Sequence, residues 1–532
     1  MDNAKLKLIL YTILALQCLP NRLIHLSYAA RILGFFASGT KSHLLIHCSI
    51  AEELARAGHE VTVIGITENV YPNSTYKHVR LQLSDATEQQ TKILTNVVNG
   101  RISLLSTVKV RLHQYMSRAD EIMRHPWMRE FLSNSRASDY DLLLFGYVMN
   151  EFQFGLAAHF RCPIVLSWMI QPALQINRFV GNPQMLSYVP SFASGFKQPM
   201  NFMERVKNFL MMRFEQNMVV PYMDYHTQKL YDYNFPPDRY PPFEDVRQNV
   251  SLIFTNHHFS QGPIRPNVPN LIEIGGIQIK EKPDPLPADI AKILDEAKEG
   301  AIYFSLGSNI QGSHLTEEKV KIMFNVISKL PYKVLWKWGP NDRPGQSENI
   351  IYRDWLPQDD ILAHPNIKLF ITHGGMGSVV EAQYHGVPMV GIPLFGDQPS
   401  NMANVQRSGY GLAVDYITLS EESLNNAIQE VLTNPKYTNT VQEFSRLYRD
   451  RPMTPRQTVV YWVEYVLRHK GAKHMQSPAV HMNRWQLMSL DVIGFLWAIF
   501  AGVVLVCAIV FRLLCGEKKD KKEVKVEKTK QK

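Results

Sequence analysis

Short apolar runs alternate with amphipathic stretches along most of the chain. Arg31–Phe36 is apolar, His43–Ala57 repeats its apolar positions at helical spacing, Gly58 can end that helix, and Glu60–Gly65 is apolar again. Strand, crossing helix and strand make a βαβ unit, which implies a parallel sheet covered by helices. Further strands are predicted at Asp141–Phe145 and Pro163–Ser167, and the second half repeats the rhythm at Ala301–Leu306, Tyr332–Trp336, Ile367–Ile371 and Pro388–Ile392. Between the halves, Gly275-Gly276 and Pro283, Pro285 and Pro287 have the composition of a linker. The pattern predicts an α/β protein with two domains facing each other across a cleft.

Two runs depart from this rhythm at the ends. Lys5 and Lys7 precede apolar Leu8–Leu16, with small Ser27, Ala29 and Ala30 behind, the layout of a secretory signal peptide. Val492–Phe511 carries no charge and is closed by Arg512 and a Lys-rich tail, which predicts one membrane span with the tail on the cytosolic side. The expected organisation is a signal peptide over 1–29, a first domain over 30–274, a linker over 275–287, a second domain over 288–487, a span over 488–514 and a cytosolic tail over 515–532. Lysines at 528, 530 and 532 resemble a dilysine retrieval address of the endoplasmic reticulum membrane. A third unusual stretch, 185–223, holds seven of the 21 Met with Phe202, Phe209 and Phe214 and several bases. It reads either as ordinary core or as a pliable apolar surface for lipophilic acceptors or a membrane face.

Composition then removes alternatives. The 532 residues are 45% hydrophobic, too polar for a polytopic membrane protein and too apolar for disorder. The formal charge of +9 would suggest nucleic acid, but residues 516–532 hold eight Lys against four acids, so +4 of it belongs to the tail. No nucleic-acid partner is expected. Of five cysteines only Cys48 and Cys162 lie between the ends, so no disulfide scaffold is expected. Asn73-Ser-Thr75 and Asn249-Val-Ser251 are glycosylation sequons if that part is lumenal.

The chemistry concentrates in residues 355–398. A buried strand ends at Thr372, then His373, Gly374, Gly375 and Gly377 lead into a helix starting near Ser378. Backbone N–H groups at such a helix start suit a diphosphate, and the glycines let the backbone approach it. Glu381, one turn on, can accept ribose hydroxyls; Trp355 offers a flat face for a base; Asp397 and Gln398 can hold sugar hydroxyls.

This assembly resembles the signature of the UDP-glycosyltransferases, the animal glucuronosyl- and glucosyltransferases and the plant glucosyltransferases. Leu33-Gly-Phe-Phe36, Gly58-His-Glu-Val-Thr-Val63, Phe304-Ser-Leu-Gly-Ser308 and the single C-terminal span extend the likeness over most of the chain, and the Ile302–Asn309 and Phe395–Gln398 segments look most like insect members. The resemblance implies a GT-B fold of two Rossmann-like domains, with donor bound by the second and acceptor by the first. It also implies metal-independent inversion at the anomeric carbon. Trp355 would stack on uracil, Gln358 and Glu381 bind ribose, Ser308, His373 and Ser378 meet the diphosphate, and Asp397 and Gln398 hold the sugar. His43, at the start of the first helix, would be the catalytic base. The helix dipole disfavours the imidazolium there, which keeps a neutral base available.

Two positions depart from the family pattern. Gly146 stands where a carboxylate commonly orients the histidine, and Glu151 is the expected replacement. Gly377 stands where many relatives have Asn. His43 and His47 are spaced like a metal pair but lack a third ligand, and Asp139-Tyr-Asp141 reads as the opening of a strand. The expected enzyme moves a hexose, most simply glucose, from UDP-hexose to a hydroxyl of a small lipophilic acceptor, with no cofactor beyond that co-substrate. Homo- or hetero-oligomers stay open. The alternative is a weakened relative that binds UDP-sugar or a lipophile within a complex, supported by Gly146.

Overall fold

The computed structural model describes residues 29–84, 94–100, 104–191, 194–308, 310, 312–339 and 343–529, the backbone alone for 104–111 and 515–529. The signal peptide expected over 1–29 lies, Ala29 apart, outside the described residues.

Seven strands form a wholly parallel sheet: β1 (Arg31–Phe36), β2 (Glu60–Gly65), β3 (Lys77–Arg80), β4 (Leu142–Gly146), β5 (Ile164–Trp168), β6 (Val250–Thr255) and β7 (Leu271–Glu273), in the order β3-β2-β1-β4-β5-β6-β7. Six more form a second parallel sheet: β8 (Ala301–Ser305), β9 (Lys333–Lys337), β10 (Ile350–Arg353), β11 (Ile367–Thr372), β12 (Met389–Gly391) and β13 (Gly411–Ala413), in the order β10-β9-β8-β11-β12-β13. The central strands β4, β5 and β8 are buried at every residue, because helices cover both faces. That is why they read as continuous apolar runs rather than alternating ones.

In both sheets the strand order reverses direction once, between β1 and β4 and between β8 and β11. Loops leaving the carboxyl ends of the strands diverge at such a point and open a crevice where ligands bind. His43 follows β1, Gly146 ends β4, Ser308 follows β8 and His373 follows β11. Topology alone therefore brings the sequence-selected residues to two crevices.

The expected boundary of the second domain at 487 is corrected. The Pro455–Arg468 helix returns to the first sheet, where Val459, Val463 and Val466 are fully buried in its core. Arg456 pairs with Glu53 on the Lys41–Arg56 helix, which fastens the returning segment. Val459, Val463 and Val466 at i, i+4 and i+7 give this helix one buried face, but that spacing does not say which sheet it covers. The linker is also less free than its prolines suggest, since Lys280 Nζ bonds both oxygens of Asp360, at 2.9 and 2.6 Å. Residues 477–532 form a separate unit, whose helix Leu490–Thr529 is long and apolar enough over Leu490–Leu514 to cross a membrane.

Candidate active site in the cleft between the sheets

On the second sheet, β11 ends at Thr372 and the chain turns through Gly374, at φ +78°, into the Met376–His385 helix. A Cβ on Gly374 would lie 2.4 Å from Met402 Cγ, so only glycine fits. Gly375 is the N-cap and leans equally close to His373, while Gly377 faces open space. The unfilled volume at Gly377 is where the side chain of an Asn would stand, so its departure costs no packing.

Gln358, Ser378 and Glu381 form one cluster. Gln358 Nε2 donates to Glu381 Oε2 at 2.7 Å and to Ser378 Oγ at 3.0 Å. Burial, with help from the Asp359 and Asp360 charges, pushes the Glu381 carboxyl up to about 8. A sugar hydroxyl entering here meets an acceptor that water no longer solvates. His373 is lowered to about 4, by burial first and by the Lys337 charge second, and its Nδ1 has no partner. It is a neutral donor at physiological pH, beside the Gly307 turn (φ +85°), where a Cβ would fall 2.7 Å from its ring.

Trp355 is 61% exposed, unusual for a tryptophan and suited to stacking. Lys337 Nζ lies 4.6 Å from its ring centroid and Lys41 Nζ lies 5.1 Å from it. Lys337, at the carboxyl end of β9, donates to Gly307 O at 3.1 Å and is lowered to about 8 by burial and by Lys41. The sequence reading missed both lysines. Position was the available signal, since Lys337 ends a central strand and Lys41 opens the helix that carries His43. Ser308 is exposed just past Gly307. Asp397 accepts from Asn401 Nδ2 at 2.7 Å, and the same amide donates to Gly374 O at 3.0 Å. Gln398 is buried and its Oε1 accepts from the N–H groups of Leu394 and Phe395, at 2.9 and 3.1 Å. It shapes the loop that presents Asp397.

On the first sheet, His43 stands in the first turn of the Lys41–Arg56 helix, with Nδ1 3.1 Å from Ser38 Oγ. An Nδ1–H donated to Ser38 fixes the tautomer in which Nε2 carries the lone pair. One turn on, His47 is fully buried, lies 2.8 Å from Ser167 Oγ through Nδ1 and stacks on Phe36 at 5.2 Å. Burial and the neighbouring His43 hold it down to about 3. Its ring explains Gly146, since a Cβ there would lie 3.0 Å from His47 Cδ2, His47 Nε2 and Phe36 Cδ1. The ladder places Gly146 opposite both Phe36 and Ser167. The site where an orienting acid was expected is filled by an imidazole.

Glu151 is corrected as the replacement acid. It is fully buried, accepts from Tyr147 Oη at 2.6 Å and pairs with Arg178, which also bonds Asp224. Its lone pairs serve that network and it makes no hydrogen bond to His43. Among the described residues no three His, Cys, Asp or Glu side chains converge as a cation site.

Two crevices with complementary chemistry thus face one cleft, and Lys41, two residues from His43, reaches over the donor-side tryptophan. The family model described as UDP-glucoronosyl and UDP-glucosyl transferase matches residues 35–525. The chain belongs to this family. It is 33% identical over 507 residues to UDP-glycosyltransferase UGT5 of Dactylopius coccus, covering 93% of this chain and 94% of that protein. It is 31% identical to human UDP-glucuronosyltransferase 2B10, covering 93% and 96%. Among solved structures it is similar to a UDP-glucosyltransferase from Polygonum tinctorium capable of glucosylating indoxyl, solved with 3,4-dichloroaniline, at TM-score 0.56 and 15% identity over 82% of this chain and 99% of that one. The glycotransferase of kitacinnamycin aligns at TM-score 0.53, 17% identity, over 82% and 98%. The fold is GT-B, and this UDP-glycosyltransferase moves sugar from a UDP-sugar to an acceptor.

Proposed function

We propose that this UDP-glycosyltransferase transfers a hexose, glucose in the first instance, to a hydroxyl of a small lipophilic acceptor, with inversion and without a metal or other cofactor. The observation that carries the reading is the reach of Lys41 to the Trp355 ring at 5.1 Å, which sets the His43 helix against the donor crevice. His43 Nε2 takes the acceptor's proton as its oxygen forms a bond to C1, and the bond from C1 to the β-phosphate oxygen breaks on the opposite face. Uracil stacks on Trp355 and ribose hydroxyls bond to Glu381 and Gln358. The charge developing on UDP is met by the N–H groups opening the Met376–His385 helix, with Ser308, Ser378 and His373. Asp397, presented by Gln398, takes the sugar hydroxyls. Lys337 and Lys41 lie on the base side of the crevice while Asp397 is an anion on the sugar side, which favours a neutral sugar over a uronic acid.

The C-terminal span and basic tail support residence in the endoplasmic reticulum membrane with both sheets lumenal. The two sequons then differ. Asn73 is exposed, whereas Asn249 Nδ2 already donates to Cys162 O at 2.9 Å, so Asn73 is the glycan acceptor.

The test incubates membranes carrying the chain with a panel of radiolabelled UDP-hexoses and phenolic or steroid alcohols, with and without EDTA. A β-glucoside formed from UDP-α-glucose, undiminished by EDTA, is the expected product. A retained α-linkage, or activity restored only by a divalent cation, overturns the mechanism. Gly146 favours one other reading, a UDP-sugar-binding relative without turnover. Thermal stabilisation by UDP-glucose with no product from any acceptor would select it.

A further inference from the structure

Between Phe202 and Tyr225 the usual placement of apolar residues is inverted. The Phe202–Phe214 helix runs through one wide π-helical turn, Glu215–Val219, into the Val220–Asn234 helix. The stripe packed against the protein holds Asn208, Met212, Met223 and Thr227, while Phe202 (68% exposed), Leu210 (61%) and Met218 (61%) stand in solvent. Phe209 and Phe214 add to the same exposed apolar surface. A contiguous patch of this kind marks a contact with a partner or a membrane.

Charge decides between the two. Every acid of the segment is committed elsewhere. Glu204 closes a capping box on Asn201, Glu215 bonds to Gln175, and Asp224 pairs with Arg178 and Arg247. The bases are displayed instead. Arg205 and Lys207 are exposed, and Arg205 and Arg213 lie over the rings of Phe202 and Phe209, at 5.9 and 5.2 Å. An apolar, aromatic face edged by cations whose stems lie along the rings is the profile of a helix that rests in a lipid interface. A second copy would bring the same positive face against itself. The Leu490–Leu514 helix is an independent reason for a bilayer to be at hand.

We infer that the exposed face of residues 202–225 lies in the interfacial layer of a bilayer containing anionic lipid, a second membrane contact beyond the C-terminal span. This contact does not depend on which sugar or acceptor the enzyme uses.

The test reconstitutes the full chain in phosphatidylcholine vesicles, with and without phosphatidylserine, containing a lipid with a diazirine in its acyl chain. After irradiation, adducts are mapped by peptide mass spectrometry, with the 490–514 peptides as internal standard. Adducts on 202–225 are expected beside those on 490–514, increased by phosphatidylserine. Arg205→Gln and Lys207→Gln each lower them by up to about fivefold, and Leu210→Asp with Phe214→Asp removes them. All four side chains are exposed, so unchanged labelling of 490–514 and an unchanged melting temperature identify a surface effect. Labelling of 490–514 without 202–225 overturns the inference. So does cross-linking between copies through 202–225 that rises with protein density while lipid adducts stay absent.

Discussion

On the second sheet, Gln358 donates to both Ser378 and Glu381, and the three come from one stretch of chain. On the first sheet, Ser38, His43, His47, Gly146 and Ser167 come from two strands, the loop after β1 and one helix. The donor crevice is a contiguous device, with a strand end, a glycine turn and a helix start that carry their polar groups together. The acceptor crevice is an agreement among distant positions, where one change requires another. Gly146 and His47 show it, since the glycine is needed because the imidazole is there. One half thus carries its polar groups as a local unit, while in the other the residues around the base constrain one another.

Removing the base tests the acceptor side most severely. His43→Ala is expected to lower kcat by about 10²–10⁴-fold while stabilisation by UDP stays unchanged, because the residues assigned to UDP are all carried by the second sheet and its loops. Transfer rates and thermal shifts on the same preparation check both halves at once. Equal turnover in the variant would remove His43 from the mechanism. Loss of the UDP effect would show that the two crevices are not independent.

Glu151 supplies the next largest effect, with a different signature. Glu151→Ala leaves Arg178 and Tyr147 with a partner missing in the core, and breaking such a buried pair costs about 3–5 kcal/mol. Chemical denaturation should show that loss, while the folded fraction keeps the kcat and pH profile of the parent. A fall in kcat without a fall in stability would return Glu151 to the role of orienting acid.

How far the sequence could be read follows the same division. The apolar runs of β1 and β2 are seen at their expected residues, Arg31–Phe36 and Glu60–Gly65, and β4, β5, β8, β9 and β11 lie within one residue of expectation. Those strands lie inside the sheets and are mostly buried, so their composition is unambiguous. Strands β3, β7, β10 and β13, only three or four residues long, carry too little pattern to stand out, and apolar β6 is set apart only by its place in the sheet. In the donor crevice Gln358 is hydrogen-bonded to Ser378 and Glu381, a grouping within reach of a local motif. Gln398 was assigned to the sugar, whereas its oxygen holds a loop, which only a hydrogen-bond partner can reveal. Glu151 and Asp141 are the nearest carboxylates in sequence to Gly146, but the partner that claims Glu151 lies 27 residues further on, at Arg178. The path of Pro455–Arg468 back to the first sheet was equally hidden, since periodicity shows a buried face and not its neighbour.

A milder substitution sharpens the claim that Gly146 and His47 depend on each other. Gly146→Ala places a methyl 3.0 Å from two rings, and overpacking of this kind costs about 1–3 kcal/mol. In a His47→Ala background only the Phe36 contact remains, so the same change should cost clearly less. The difference is a coupling energy that a double-mutant cycle measures by denaturation. Additive effects would mean that the ring does not hold the position open.

The smallest effect, at most about 1.4 kcal/mol per pH unit for one proton, separates the two buried histidines from Glu381 by sign. His47 is lowered from 6.5 to about 3, so between those values the unfolded chain binds the extra proton and stability falls on acidification. His373 works in the same direction, down to about 4. Glu381 is raised from 4.5 to about 8, so here the folded chain holds the proton, and its contribution is full below 4.5 and lost as pH rises through 8. Stability of the unliganded chain followed from pH 4 to pH 9 should therefore decline on both flanks. Glu381→Gln flattens the alkaline flank alone, because the amide keeps the hydrogen-bonding shape and has no proton to lose. An alkaline decline that persists in Glu381→Gln would mean that this carboxyl is not its source.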